Sequence, residues 1–225
     1  MVLKKTQKKK PKRGGNDDEE DKIKLSLFDC DFHNFKVLCI TSPSLKHLSI
    51  RNCRLLHQTL KVFAPNLLTL TYAADLPADF VLDSFQSLVE ADVQIFNDLD
   101  QARIYGPSIK LYQKLSNVKL LKTSGSSFRG VRSNDLQDDD WTINSLPQYS
   151  MPNLKVVLIR NFIGRKVELD VVKFFLANAE VLQTLTIMIS IHLSKDYKKQ
   201  TQIASELLKF PRYSASCALQ FMTPE

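Results

Sequence analysis

The stretch Leu38–Ile50, LCITSPSLKHLSI, is written again 22 positions later as LKVFAPNLLTLTY, Leu60–Tyr72. Leu38/Leu60, Pro43/Pro65, Leu45/Leu67 and Leu48/Leu70 coincide, and Ser49/Thr71 nearly do. A line repeated at a short fixed period constrains a chain more than its composition does. One unit of that size cannot bury its own apolar face, so the copies must stack.

The pair belongs to a series. Leu45, Leu48, Ile50 and Cys53 stand at offsets 0, 3, 5 and 8, as do Leu88, Ala91, Val93 and Phe96, and again Leu154, Val157, Ile159 and Phe162. Leu67, Leu70 and Tyr72 keep the first three offsets, as do Leu182, Leu185 and Ile187. Leu25, Leu27 and Cys30 match the last three; Val118, Leu121 and Thr123 fit weakly. Offsets 3 and 5 differ by two, the period of a strand with one buried face. The pattern is that of a leucine-rich repeat, L-x-x-L-x-L-x-x-N/C. In SPSL and APNL the proline fixes φ and lacks a donor, which places it in the turn before each strand; Pro152 and Pro107 repeat the device. LLHQTLKVF and FVLDSFQSLV supply the segments between repeats.

From Leu146 the texture changes. A strand is expected over Leu154–Arg160, then a helix with Leu169, Val172, Phe175, Leu176 and Ala179 on one face and Glu168 and Asp170 in its first turn. LQTLTIMIS reads as a second strand. Ile203, Ala204, Leu207 and Leu208 mark a second helix stopped by Pro211, and SCALQF a last strand. Strand–helix–strand–helix–strand makes an α/β unit able to close the open end of a solenoid.

Composition matters here for what it excludes. Gly numbers only 6, and the sequence has no phosphate-cradling GxxxxGK[ST], GxGxxG or GxSxG. His33, His47, His57 and His192 are scattered and read as surface or half-buried side chains. Cys30, Cys39, Cys53 and Cys217 form no CxxC pair and read as buried free thiols. Asp138–Asp140 lack the alternating ligands of a calcium loop and read as solvated, and Ser124–Asp135 as an exposed loop. No catalytic, cofactor or metal site is expected. With no membrane-length apolar run and no leader, the chain is read as soluble and intracellular, nuclear or cytoplasmic.

Residues 1–13 carry seven basic side chains and no acid, followed by five acids in 17–21, so 1–21 reads as disordered. Lys8, Lys9, Lys10, Lys12 and Arg13 form a candidate nuclear-import signal. The tail has no aromatic to stack on bases, so nucleic acid is not the expected partner.

The C-terminal residues resemble the FBD domain of plant F-box/leucine-rich-repeat proteins. Leu154-Lys155-Val156, Phe162-x-Gly164, Glu168, Phe175-Leu176, Ala179, Leu182 and Pro211-Arg212-x-Ser214-x-x-Cys217-x-x-x-Phe221 carry the resemblance. ITSPSLKHLSIRNC, DLPADFVLDSFQSLVEADV and the linker DDDWTINSLP, with Trp141, extend it over residues 23–222. The resemblance implies an α/β fold: a short leucine-rich-repeat solenoid over 22–135, a linker over 136–145 and an FBD-like unit over 146–222. In that family an F-box that docks on a Skp-type adaptor of a cullin ubiquitin ligase usually precedes the repeats. Here NDDEED passes straight into KIKLSLFDC, so adaptor docking is not carried over, and the uncapped edge around Ile23–Cys30 is expected to fray, self-associate or be covered by a partner. The function implied is a non-catalytic protein-recognition module for a partner of unknown identity, with no membrane role. Strand alternation makes Lys46, His47, Ser49 and Arg51, and Glu90, Asp92 and Gln94, the candidate binding face. Two other readings stay open: a nuclear nucleic-acid-associated protein acting through its basic tail, and a truncated product without independent function.

Overall fold

A computed structural model describes residues 2–3, 23–82, 85–96, 111–128 and 150–223. Its fold is α/β, with mostly parallel strands. The elements alternate in where they go. Strands β1 (Val2–Leu3), β3 (Val37–Thr41), β5 (Thr59–Phe63) and β7 (Asp79–Leu82) form one parallel sheet in that order. Strands β2 (Lys24–Phe28), β4 (His47–Arg51), β6 (Thr69–Asp75), β8 (Glu90–Phe96), β9 (Leu120–Ser124), β10 (Val156–Phe162), β11 (Thr184–Ile189) and β12 (Ala218–Met222) form a second, eight-stranded parallel sheet, also in chain order. The polar run of the tail and the linker lie outside the described residues.

One local device builds the large sheet. Before six of its strands, β4, β6, β8, β9, β10 and β11, a four-residue turn closes with an i→i+3 hydrogen bond: Leu45 N–H to Ser42, Leu67 to Ala64, Leu88 to Phe85, Val118 to Leu115, Leu154 to Met151 and Leu182 to Ala179, at 3.1–3.3 Å. Proline fits the second position of Ser42–Leu45, Ala64–Leu67 and Met151–Leu154, where its fixed φ suits the turn. The next two N–H groups then both reach one carbonyl of the preceding strand. Lys46 and His47 share Ile23 O, Leu68 and Thr69 share Lys46 O, and Val89 and Glu90 share Leu68 O. Lys119 and Leu120 share Val89 O, Lys155 and Val156 share Lys119 O, and Gln183 and Thr184 share Lys155 O. Such doubling inserts one residue into the ladder, as a bulge does. Two successive side chains therefore leave the core between the leading Leu and the strand, which is the physical origin of offset 3 in the repeat. At β12 only Ala218 N reaches Gln183 O, and the spacing from buried Cys217 to Leu219 falls to two.

Strand ends recur as well. Asp29, Asn52 and Asn161 all take positive φ (52°, 52° and 54°), a conformation Asp and Asn tolerate, and each turns the following Cys30, Cys53 or Phe162 back towards the core. This is the offset-8 position of the repeat.

Between the sheets lie Leu48, Ile50, Leu70 and Tyr72 from one side and Leu38, Ile40, Leu60, Val62 and Phe80 from the other, all at most 5% exposed. The Tyr72 and Phe80 rings meet edge to face at 5.7 Å, and the buried Tyr72 hydroxyl donates to the carbonyl of Asp75.

Past β10 the backing is helical. Helix α1 (Lys166–Asn178) buries Leu169, Val171, Val172, Phe174, Phe175 and Leu176, and helix α2 (Tyr197–Leu208) buries Ile203 and Leu207. Gly164, at φ 73°, leads into α1, and a Cβ there would strike the Ile203 side chain. The expected order of strand, helix, strand, helix, strand is the observed one, but these strands extend the same sheet as the repeats.

The exposed-loop expectation for Ser124–Asp135 is corrected where the chain is described. Gly125–Phe128 is a 3-10 turn, and Ser124 and Ser127 are buried because the Ser127 hydroxyl accepts from Ile95 N–H at 2.9 Å. Among the cysteines, all free, Cys53 and Cys217 are buried while Cys30 and Cys39 are only half-buried.

Candidate functional site

The outer face of the eight-stranded sheet carries every residue that alternation nominated. In register across β4, β6 and β8 stand His47, Thr69 and Glu90; then Ser49, Thr71 and Asp92; then Arg51, Ala73 and Gln94. Lys46 belongs to the doubled row just before. All are half-buried except Arg51, which is exposed. The two nominated clusters are thus one surface, separated by the single strand β6. The His47 ring nitrogen Nδ1 lies 2.8 Å from Thr69 Oγ1, bridging them in part.

Alternation did not reveal that Glu90 and Asp92 are both matched. Lys122 Nζ lies 2.6 Å from Glu90 Oε1 across one strand boundary, and Arg160 reaches over β9 to Asp92. These groups stay a quarter to a third exposed, so each pair is worth only about 0.2–1 kcal/mol. Their effect is positional: they fix Glu90 and Asp92 and cross-brace three strands. The weak repeat at Val118–Thr123 concealed Lys122. Its core position is filled by polar Thr123, fully buried and 2.8 Å from the Tyr112 hydroxyl.

The rows change character along the sheet. Beyond Glu90 and Asp92 the outward positions become Leu120, Val156 and Leu158, then Thr184 and Thr186. The end strands are less covered: Leu25, Leu27, Leu219 and Phe221 face the core but are only partly buried, and Phe28 is 63% exposed. Lys8, Lys9, Lys10, Lys12 and Arg13 lie outside the described residues.

A second polar cluster sits where β9, β10 and α1 meet. Glu168, 1% exposed at the third position of α1, accepts at Oε2 from the backbone N–H of Ile163 (2.9 Å) and Arg165 (3.2 Å). This is the reciprocal half of a capping box; Arg165, having no acceptor, cannot supply the other. Oε1 has no partner. Gly125 makes the arrangement fit: a Cβ there would stand 2.7 Å from Oε1 and 2.9 Å from the carbonyl oxygen of Asn161. Burial pushes the Glu168 carboxyl up, against the opposing pull of those N–H groups and the Arg165 charge. Among the described residues no group of three or more His, Cys, Asp and Glu could hold a metal ion. No described helix is long and apolar enough to cross a membrane.

An α/β protein with a repeated turn and an in-register outward face is the class these features define. The FBD family profile matches residues 144–187, spanning β10, α1 and the start of β11. The chain is 30% identical over 129 residues to F-box/FBD/LRR-repeat protein At1g13570 of Arabidopsis thaliana, a stretch covering 56% of this chain and 29% of that protein. It is 33% identical over 86 residues to the FBD-associated F-box protein At5g22730 of the same plant, covering 37% of this chain and 18% of that protein. Residues 144–187 thus match the FBD domain, and the chain is similar to FBD-containing plant proteins. The alignments span less than a third of the length of either relative. No solved structure matches it.

Proposed function

We propose that the chain is a protein-recognition module: a short leucine-rich-repeat solenoid, continued by its FBD unit, that presents the outer face of the eight-stranded sheet to a protein partner. One observation carries the reading. At six successive strand starts the doubled N–H device turns two adjacent side chains outward, so variable residues line a continuous surface while the leucines stay inside. A surface that can change residue by residue without disturbing the core suits recognition. The F-box names of the relatives support a ubiquitin-ligase setting, in which the chain selects a substrate rather than reacting with it. The Lys8–Arg13 run directs it to the nucleus.

The test places a photo-crosslinking residue at Ser49 or Thr71 and, as control, at Lys61 on β5. In plant extract the first two are expected to trap one discrete protein that Lys61 does not. Equal labelling from both sheets, or none from Ser49 and Thr71, overturns the reading. Probing the same capture for Skp-type adaptors reads the ligase connection directly.

A further inference from the structure

The outer face has a charge balance that its ion pairs leave unsettled. Two of its carboxylates, Glu90 and Asp92, are already matched by Lys122 and Arg160, and the third, Asp75, closes β6 at the end away from the strand starts. Lys46, Arg51, Lys119 and Lys155 have no acidic partner among the described residues. Three of these four, Lys46, Lys119 and Lys155, lie in a single row. It is the first of the two outward residues at each strand start and runs Lys46, Leu68, Val89, Lys119, Lys155 and Gln183, each bonded through its carbonyl to the next. Lys119 and Lys155 are exposed, Lys46 is half-buried, and the apolar residues between them include Val89 at 41% exposure.

Spacing makes the row selective. Neighbouring strands lie about 4.8 Å apart, so Lys119 stands roughly 14 Å and Lys155 roughly 19 Å along the row from Lys46. An extended peptide advances about 3.4 Å per residue and turns alternate side chains to one side. Acids at its first, fifth and seventh positions would then fall at about 0, 14 and 20 Å, with its third residue above Leu68 and Val89. From this we infer that the row receives an extended acidic segment of a protein, patterned acid-x-apolar-x-acid-x-acid. The inference rests on the recognition reading above and names the chemistry of its partner. Nucleic acid suits the row less well, because none of its six residues is aromatic and the outward Phe28 and Phe96 stand at the opposite ends of β2 and β8.

The test uses the whole chain and a fluorescent peptide with glutamate at its first, fifth and seventh positions and leucine at its third, read by anisotropy. Binding is expected, weakening as salt rises. Replacing the glutamates by glutamine, or making the triple variant Lys46→Glu, Lys119→Glu, Lys155→Glu, weakens it roughly tenfold or more. The equal charge change on other surfaces, Lys61→Glu, Lys198→Glu, Lys209→Glu, leaves it unaltered. Equal loss in both triple variants, no binding, or tighter binding of a single-stranded oligonucleotide that the Lys46, Lys119, Lys155 triple variant abolishes would each overturn the inference. A protein crosslinked from Ser49 whose capture survives the charge reversal of Lys46, Lys119 and Lys155 keeps the recognition reading and overturns only the acidic assignment.

Discussion

The two halves of the large sheet share one design on their outer side and differ on the other. From β2 to β8 each strand is followed by a short return, and His47 to Thr69 takes 22 residues. There the return holds a five-residue strand such as VLCIT or TLKVF, alternating half-buried and buried. From β10 onward the return is longer and helical: KVELDVVKFFLAN buries its apolar stripe at helical spacing. The ladder itself does not change as far as β11. The doubled N–H pair, the preceding turn and the left-handed Asn recur at Asn52 and Asn161 alike. The outer face is thus set by the turn and strand, while the return segment only has to supply apolar cover.

The largest effect expected from that comparison is in the shared core. Leu70→Ala in the strand-backed half and Leu185→Ala in the helix-backed half each remove a side chain at most 4% exposed, and each should cost about 2–5 kcal/mol. Denaturant melts should show a single transition lowered by both. Two transitions, each moved by one variant only, would separate the halves.

Gly125→Ala strikes the seam between them. The new Cβ would press on Glu168 Oε1 and the backbone oxygen of Asn161, for about 1–3 kcal/mol. An unchanged melting temperature would show that the seam is loose.

Glu168 gives the seam a pH signature. Its folded-state pKa lies above the unfolded one, so the fold favours the protonated form. Its contribution is therefore greatest below the ordinary Glu range, about 4.3, and declines as pH rises through the folded pKa. Glu168→Gln should remove that decline. Asp170, also raised by burial, stays in both proteins and cancels. Stability curves of the two chains against pH should diverge as pH rises, with the variant gaining; parallel curves would contradict the buried carboxyl's role.

The smallest effect is expected at the cross-brace. Arg160→Met removes the partner of Asp92 and should cost about 0.2–1 kcal/mol, falling with salt. A cost that salt does not change would mean that packing, not charge, joins β8 to β10.

Much of this was legible because apolar spacing reports burial directly. The Leu-x-x-Leu-x-Ile frame located β4, β6, β8, β10 and β11, and strand alternation put Lys46, His47, Ser49, Arg51, Glu90, Asp92 and Gln94 on one face. What was hidden was polar or long-range. Thr123 fills a core position by bonding Tyr112, so β9 looked like a poor repeat. Ser124 and Ser127 read as loop residues, although Ser127 satisfies the backbone of β8 from thirty-two positions away. The Lys122 and Arg160 pairings depend on which strands become neighbours, which no local pattern states.

The account turns on one sheet running unbroken from repeat strands to FBD strands. Native-state hydrogen exchange across β6, β8, β9, β10 and β11 tests this most directly. The structure predicts that their amides open together, with a common free energy, and that the end strands β2 and β12 exchange faster. Two exchange classes dividing at β9 would contradict it, for the outer face would then be two surfaces.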